Sequence, residues 1–290
     1  MKKFLIKYQS FIFVFIIILI LFPIYTYKLG TIPTNVTGDE TTYLNVVYRI
    51  LFEKNPINPF ELMEDHTKAA LSFYWMGLII RLVGFNHTVF GMRLAIVIPA
   101  VGTLVTFFFL LRQKTNNILA SSITLLLGTN VLFLNFARSG WLNIIAILFG
   151  LLMIVFLNKG FKKQQLRFFI FAGLCSSFSC YWYLSGPIYP ISAIIFFLIL
   201  FAFSKERKRY LKYALTFLFT ATMIILPIFT MAFLHRDVSV VRPSVVFIFN
   251  STTDNIPITL WKQSIDVAIG LILLDNQPIG KGFENPRYFP

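Results

Sequence analysis

"FIFVFIIILILFPIYTY", residues 11–27, runs for seventeen residues without a charge. With its flanks it reaches the roughly 20 residues that an α-helix needs to cross a hydrocarbon core. "MKK" precedes it as it would precede a signal peptide. No small-x-small cleavage site follows, however, and the run is longer than a usual signal core, so it reads as a retained anchor. A chain that starts in lipid must be read as a membrane protein throughout.

Composition agrees. Of 290 residues 57% are hydrophobic and 13% charged, with a mean hydropathy of +0.74. A soluble domain needs more polar surface than that. The apolar segments lack the dyad alternation of an outer-membrane barrel, so the expected fold is all-α, a polytopic bundle. Seven spans are expected, at 9–27, 90–111, 118–136, 142–158, 168–184, 187–203 and 211–233. Cys175 and Cys180 fall inside one of them and read as small buried hydrophobes.

Charge is distributed unevenly. Net charge is +14, yet no basic motif or helix outside the membrane points to nucleic acid. The segments "MKKFLIK", "RQKTNN", "NKGFKKQQLR" and "SKERKRYLK" carry fourteen of the twenty-six Lys and Arg residues and a single carboxylate, Glu206. The positive-inside rule makes this face, with the N-terminus, cytoplasmic. The other eleven of the twelve carboxylates lie in 28–89 and 234–290, the two long segments of the opposite face. The chain therefore reads as one transmembrane domain, 1–290, whose polar chemistry is extracytoplasmic. Within 28–89, "YLNVVYRILFEK" and "ALSFYWMGLIIRLVGF" have helical periodicity and read as interfacial helices. "ITLWKQSIDVAIGLILLD" reads similarly in the last segment. "GFENPRYFP", 282–290, suggests the N-terminal part of something longer.

"PTNVTGDETTYLN", residues 33–45, brings Asp39 and Glu40 to the point where the first span emerges. No Walker loop, GxGxxG or Cys/His cluster is present, and the cytoplasmic loops are too short for a nucleotide domain. An activated donor would then have to be lipid-linked. Transfer from a lipid phosphate sugar needs a carboxylate to take a proton and cations to hold phosphate. Adjacent carboxylates disfavour joint ionisation, which can raise one pKa toward that of a useful base. The alternative reading makes Asp39 the cap of an ordinary helix start. Candidate cations on this face are Lys68, Arg93, Arg138, Arg242 and Arg287, with His66 beside Lys68. No cofactor is called for, and a divalent metal stays open.

"GDETTYLNVVYRIL", "HTKAALSFYWMGLIIRLVGFNHTVFGMRLAIVIPAVGTLVTFFFLLRQ", "NFARSGWLNIIAILFGLLMIVF", "YWYLSGPIYPISAIIFFLI", "RPSVVFIFN" and "GFENPRYFP" together resemble the GT-C fold membrane glycosyltransferases. The likeness is to bacterial relatives of the protein O-mannosyltransferases and of the lipid A aminoarabinose transferase. The resemblance implies Asp39 as catalytic base with Glu40 beside it, a polyprenyl-phosphate sugar as donor, and inversion at the anomeric carbon. It implies Lys68 near the lipid phosphate and matches Arg138, Asn143, Asn285, Arg287 and Pro290. Departures are Ala69-Ala70 for the usual Pro-Pro, Leu142 for a frequent carboxylate, and Phe283 for a usual Asp.

The expected function is sugar transfer at the outer face of the plasma (inner) membrane, to a lipid, glycan or protein acceptor. Asp39 and Glu40 are the expected catalytic pair. His66, Lys68, Arg138, Asn143 and Arg287 are the expected substrate-binding residues. A transporter or flippase for lipid-linked sugars and an inactive family member are the alternatives.

Overall fold

The computed structural model describes residues 2–63 and 68–234. These form ten α-helices, α1 (Lys2–Thr26), α2 (Gly38–Phe52), α3 (Leu71–Val83), α4 (Thr88–Arg112), α5 (Asn117–Thr129), α6 (Val131–Arg138), α7 (Asn143–Lys163), α8 (Leu166–Trp182), α9 (Ile188–Phe203) and α10 (Arg207–Leu234), and one 3-10 turn, Phe85–His87. Among the described residues no strand occurs beyond one isolated bridge, Leu62 to Ala69. A membrane leaves no water to satisfy backbone groups, and helices satisfy them internally. All seven apolar segments are helical, and so are both segments expected at the interface in 28–89.

Length separates these helices. Four are long and apolar enough to cross a membrane: Gln9–Thr26 of α1, Phe85–Arg112 containing α4, α7, and Arg207–Met231 of α10. The pair α5 and α6 makes a fifth if counted as one broken span, bent by 65°. At 17 and 16 residues, α8 and α9 are shorter apolar helices, each about 25 Å at 1.5 Å per residue. The described residues thus form a polytopic helical bundle with four or five candidate spans.

The expected continuous span at 118–136 is broken at Asn130, where a local cap and a distant donor act together. Asn130 leaves the helix with extended backbone, and its side chain accepts a hydrogen bond from Leu132 N at 2.9 Å. Leu132 N is the donor that a continuous helix would give to the Gly128 carbonyl. That carbonyl takes the Tyr25 hydroxyl of α1 instead, at 2.7 Å. Gly128 permits the approach, because a Cβ there would lie 2.6 Å from Leu21 and 2.9 Å from Leu104. Tyr25→Phe should therefore leave a buried carbonyl unpaired. The expected loss is about 1 kcal/mol, read as a lowered unfolding midpoint of the detergent-solubilised protein.

The basic segments meet at one end of the bundle. Ser10 of α1 donates to Asn117 at 3.0 Å, and Lys162 donates to Gln113 at 3.2 Å. Phe161 lies 6.1 Å from Tyr210 and 6.2 Å from Tyr213. Helix α7 runs on to Lys163 and α10 begins at Arg207, so most of these cations ride on helix ends rather than on loops. The opposite end gathers the close of α1, the starts of α2, α4 and α7, and the close of α6. That end holds the acidic pair.

Candidate functional site

The start of α2 is a capping box. Thr37 is the N-cap, and its side-chain oxygen accepts from Glu40 N at 3.2 Å. The Glu40 carboxylate accepts from Thr37 N at 2.9 Å in return. This pattern satisfies two donors that a helix start leaves orphaned. Thr37 therefore does the capping, and Asp39 does not.

Glu40 does more than close the box. It is 1% exposed, and Arg93 of α4 is fully buried against it. Arg93 Nε lies 2.9 Å from Oε1 and a terminal nitrogen 3.2 Å from Oε2, the bidentate fork that suits guanidinium to carboxylate. Gly140 N donates to Oε1 at 2.9 Å. Arg93 also donates to the carbonyls of Leu29 (3.0 Å), Pro33 (2.9 Å) and Asn35 (3.3 Å), so all five of its N–H groups are used. Burial alone would raise the Glu40 pKa. The Arg93 guanidinium and the Thr37 and Gly140 amides outweigh it and hold the carboxyl below its ordinary value. The expectation that adjacency to Asp39 would push a carboxyl up does not describe Glu40. Its carboxylate is buried and engaged on both oxygens, by Arg93 and by the Thr37 and Gly140 amides.

Arg138 sits at the end of α6, 8% exposed. It donates to the carbonyls of Ile24 at 2.6 Å, Tyr27 at 2.7 Å and Ile32 at 3.0 Å. A cation at the close of α1 satisfies orphan carbonyls and complements the helix dipole. These three hydrogen bonds make Arg138 a clamp on the backbone that leaves α1. Together Arg93 and Arg138 gather six carbonyls from the crossing between α1 and α2. Gly140 is glycine for a steric reason: a Cβ there would lie 3.0 Å from Glu40 Cγ and 3.1 Å from Met92.

Lys68 is 4% exposed. Its ammonium donates to the Tyr43 hydroxyl and lies 4.5 Å from the Tyr43 ring centroid and 5.2 Å from that of Tyr183, within cation–π range. The chain is hooked there by Met63 N to Lys68 O at 3.1 Å and Ala70 N to Glu61 O at 2.9 Å. Ala70 thus supplies a donor that a proline at this position would lack. The hook and Tyr43 bring Lys68 to the side of α2 that carries Asp39, since Asp39 stands one helical turn before Tyr43.

Asp39 itself is half-buried in the first turn of α2. Among the described residues its carboxylate makes no hydrogen bond or ion pair. Asn143 begins α7, half-buried, and Leu142 before it is fully buried. His66, Arg242, Asn285, Arg287 and Pro290 lie outside the described residues, as does the helix expected in the last segment. Among the described residues no three His, Cys, Asp or Glu side chains converge as a metal site would.

The structure thus joins Glu40, Arg93, Arg138 and Gly140 into one scaffold, with Asp39 on the helix it holds and Lys68 against that helix through Tyr43. Sequence reasoning missed the Glu40–Arg93 pair, though two signals for it were present. "TGDE" has the T-x-x-E spacing of a capping box, and an arginine inside the apolar run "GMRLAIVIPA" must find a partner. The chain matches no protein-family model, no curated protein and no solved structure.

Proposed function

We propose that this chain is a GT-C type glycosyltransferase that moves a sugar from a polyprenyl-phosphate carrier to an acceptor hydroxyl at the extracytoplasmic face, with Asp39 as general base. One observation carries the reading: two adjacent carboxylates have opposite fates. Glu40 is buried and engaged on both oxygens, whereas Asp39 stands in the first turn of the same capped helix and, among the described residues, its carboxylate is uncommitted. A base must be positioned and yet available.

In the proposed reaction the acceptor oxygen attacks the anomeric carbon and Asp39 takes its proton. The bond from that carbon to the phosphate oxygen breaks with inversion, and the polyprenyl phosphate leaves with the electron pair. Lys68 supplies positive charge toward the leaving phosphate. Arg93 and Arg138 act through the backbone, holding the crossing that presents Asp39. In this reading α8 and α9 complete a seven-span topology.

The test is transfer of labelled sugar from a polyprenyl-phosphate donor in membranes containing the whole protein. Loss of transfer in Asp39→Asn with donor binding retained supports the reading, and normal turnover refutes it. Topology is tested separately by cysteine labelling from outside. Thr37→Cys should react and Gln164→Cys should not. The reverse pattern would place the acidic pair on the cytoplasmic side and end the proposal.

A further inference from the structure

We infer that the cleft between the second half of α9 and the first half of α10 is a binding site for an anionic glycerophospholipid. The inference is independent of the transfer reaction. The cleft encloses about 220 Å³ and is apolar, with Phe197, Ala214 and Leu218 among the residues deep in it and Phe201, Tyr210 and Leu211 nearer the basic end. Apolar lining with polar groups at one mouth is the form of a site for an amphiphile.

The charge at that mouth selects the head group. Lys205, Arg207, Lys208, Arg209 and Lys212 fall within eight residues, with Glu206 as the single carboxylate. Glu206 is already paired with Arg209 at 2.6 Å. Helical spacing puts Arg207 on the cleft's own stripe, since Tyr210, Leu211, Ala214, Leu215 and Leu218 follow it at intervals of three, four, seven, eight and eleven, and Lys208 shares that stripe through Leu211 and Leu215 at three and seven. Arg207 is held at the mouth. It donates to the Ala202 carbonyl at 3.3 Å, and its guanidinium carbon lies 6.0 Å from the centroid of Phe201, which lines the cleft. Phe161 packs against Tyr210, so the close of α7, with Lys162 and Lys163, borders the same mouth.

A neutral lipid would leave the charges of Arg207 and Lys208, which among the described residues pair with no carboxylate, without a counter-charge, and a free phosphate would leave the apolar cleft unfilled. A negative head group on an acyl chain answers both. Basic pockets between membrane helices on the positively charged face are the recognised setting for such lipids. The occupant would also cement α9, of which only Pro190, Ala193 and Phe197 are buried.

The experiment is native mass spectrometry of the detergent-purified whole chain, titrated with dioleoyl phosphatidylglycerol or dioleoyl phosphatidylcholine. Wild type should retain phosphatidylglycerol preferentially. Each cation near an anionic head group is worth about fivefold in affinity. Arg207→Gln with Lys208→Gln should therefore cut phosphatidylglycerol retention about 25-fold and leave the phosphatidylcholine level unchanged. Leu198→Trp, which fills the cleft from α9, should abolish retention with every cation in place. Equal retention of the two lipids overturns the inference. So does retention that Leu198→Trp leaves intact, which would mean surface attraction without a site, and so does displacement of the lipid by inorganic phosphate alone. Thermal unfolding of each variant, measured alongside, separates lost binding from lost folding.

Discussion

Arg93→Met should be the most destabilising single substitution in the described chain, costing about 3–5 kcal/mol, the range for breaking one side of a buried ion pair. The methionine fills much of the volume. It leaves Glu40 ionised and without a counter-charge, and it leaves the Leu29, Pro33 and Asn35 carbonyls without their donor. The readout is the unfolding midpoint in detergent, together with the fraction of monodisperse protein. Glu40→Gln should be harmful for the converse reason, because it strands a guanidinium in an apolar setting. The double variant Arg93→Met with Glu40→Gln should lose less than the sum of the two. That coupling is what distinguishes a pair from two separate contributions. An Arg93→Met midpoint equal to wild type would show that the pair is no clamp.

The same pair sets an acid limit. The folded Glu40 carboxyl titrates below its ordinary value, so its contribution to stability is complete above the unfolded pKa of about 4.3. It is lost as pH falls through the lower, folded value. Wild type should therefore show an acid limb in its stability profile that Glu40→Gln lacks. An unchanged limb in that variant would assign the acid sensitivity to other carboxylates.

What the sequence disclosed and what it hid follow from the range of the interactions involved. Helices over 9–27, 90–111 and 142–158 are local consequences of apolar runs, and they were legible. So was the gathering of cations at one end, because it follows from the charges of neighbouring residues. The break at Asn130 was hidden, because it depends on a tyrosine 103 residues away taking the Gly128 carbonyl. Asp39 and Glu40 were legible as a pair, but their different surroundings were not. What separates them is Arg93, 53 residues on, and Gly140, 100 residues on. Nothing in "ARSGW" reveals that Arg138 donates to carbonyls at and after the close of α1, 106 to 114 residues away.

Asp39→Asn tests the reading of the acidic pair at its centre. The substitution changes neither size nor the capping box, since the box belongs to Thr37 and Glu40. It removes a negative charge from the first turn of α2, which costs about 0.3–1 kcal/mol through the helix dipole. Folding should therefore survive. An amide cannot take a proton from an acceptor hydroxyl, and loss of a general base slows a reaction about 10²–10⁴-fold. The expected result is turnover reduced by that factor, with donor binding close to wild type, because the base acts only as the transition state forms. Arg138→Gln should give a different pattern. It loosens the crossing at Ile24, Tyr27 and Ile32, so stability and turnover should fall together while the pH dependence of whatever turnover remains is unchanged. Lys68→Gln should weaken donor binding as well as turnover, as expected for a cation that meets phosphate in the ground state. If Asp39→Asn retained full turnover while Glu40→Gln lost it with folding intact, the buried carboxylate would be the chemical one, and the division of labour proposed here would be reversed.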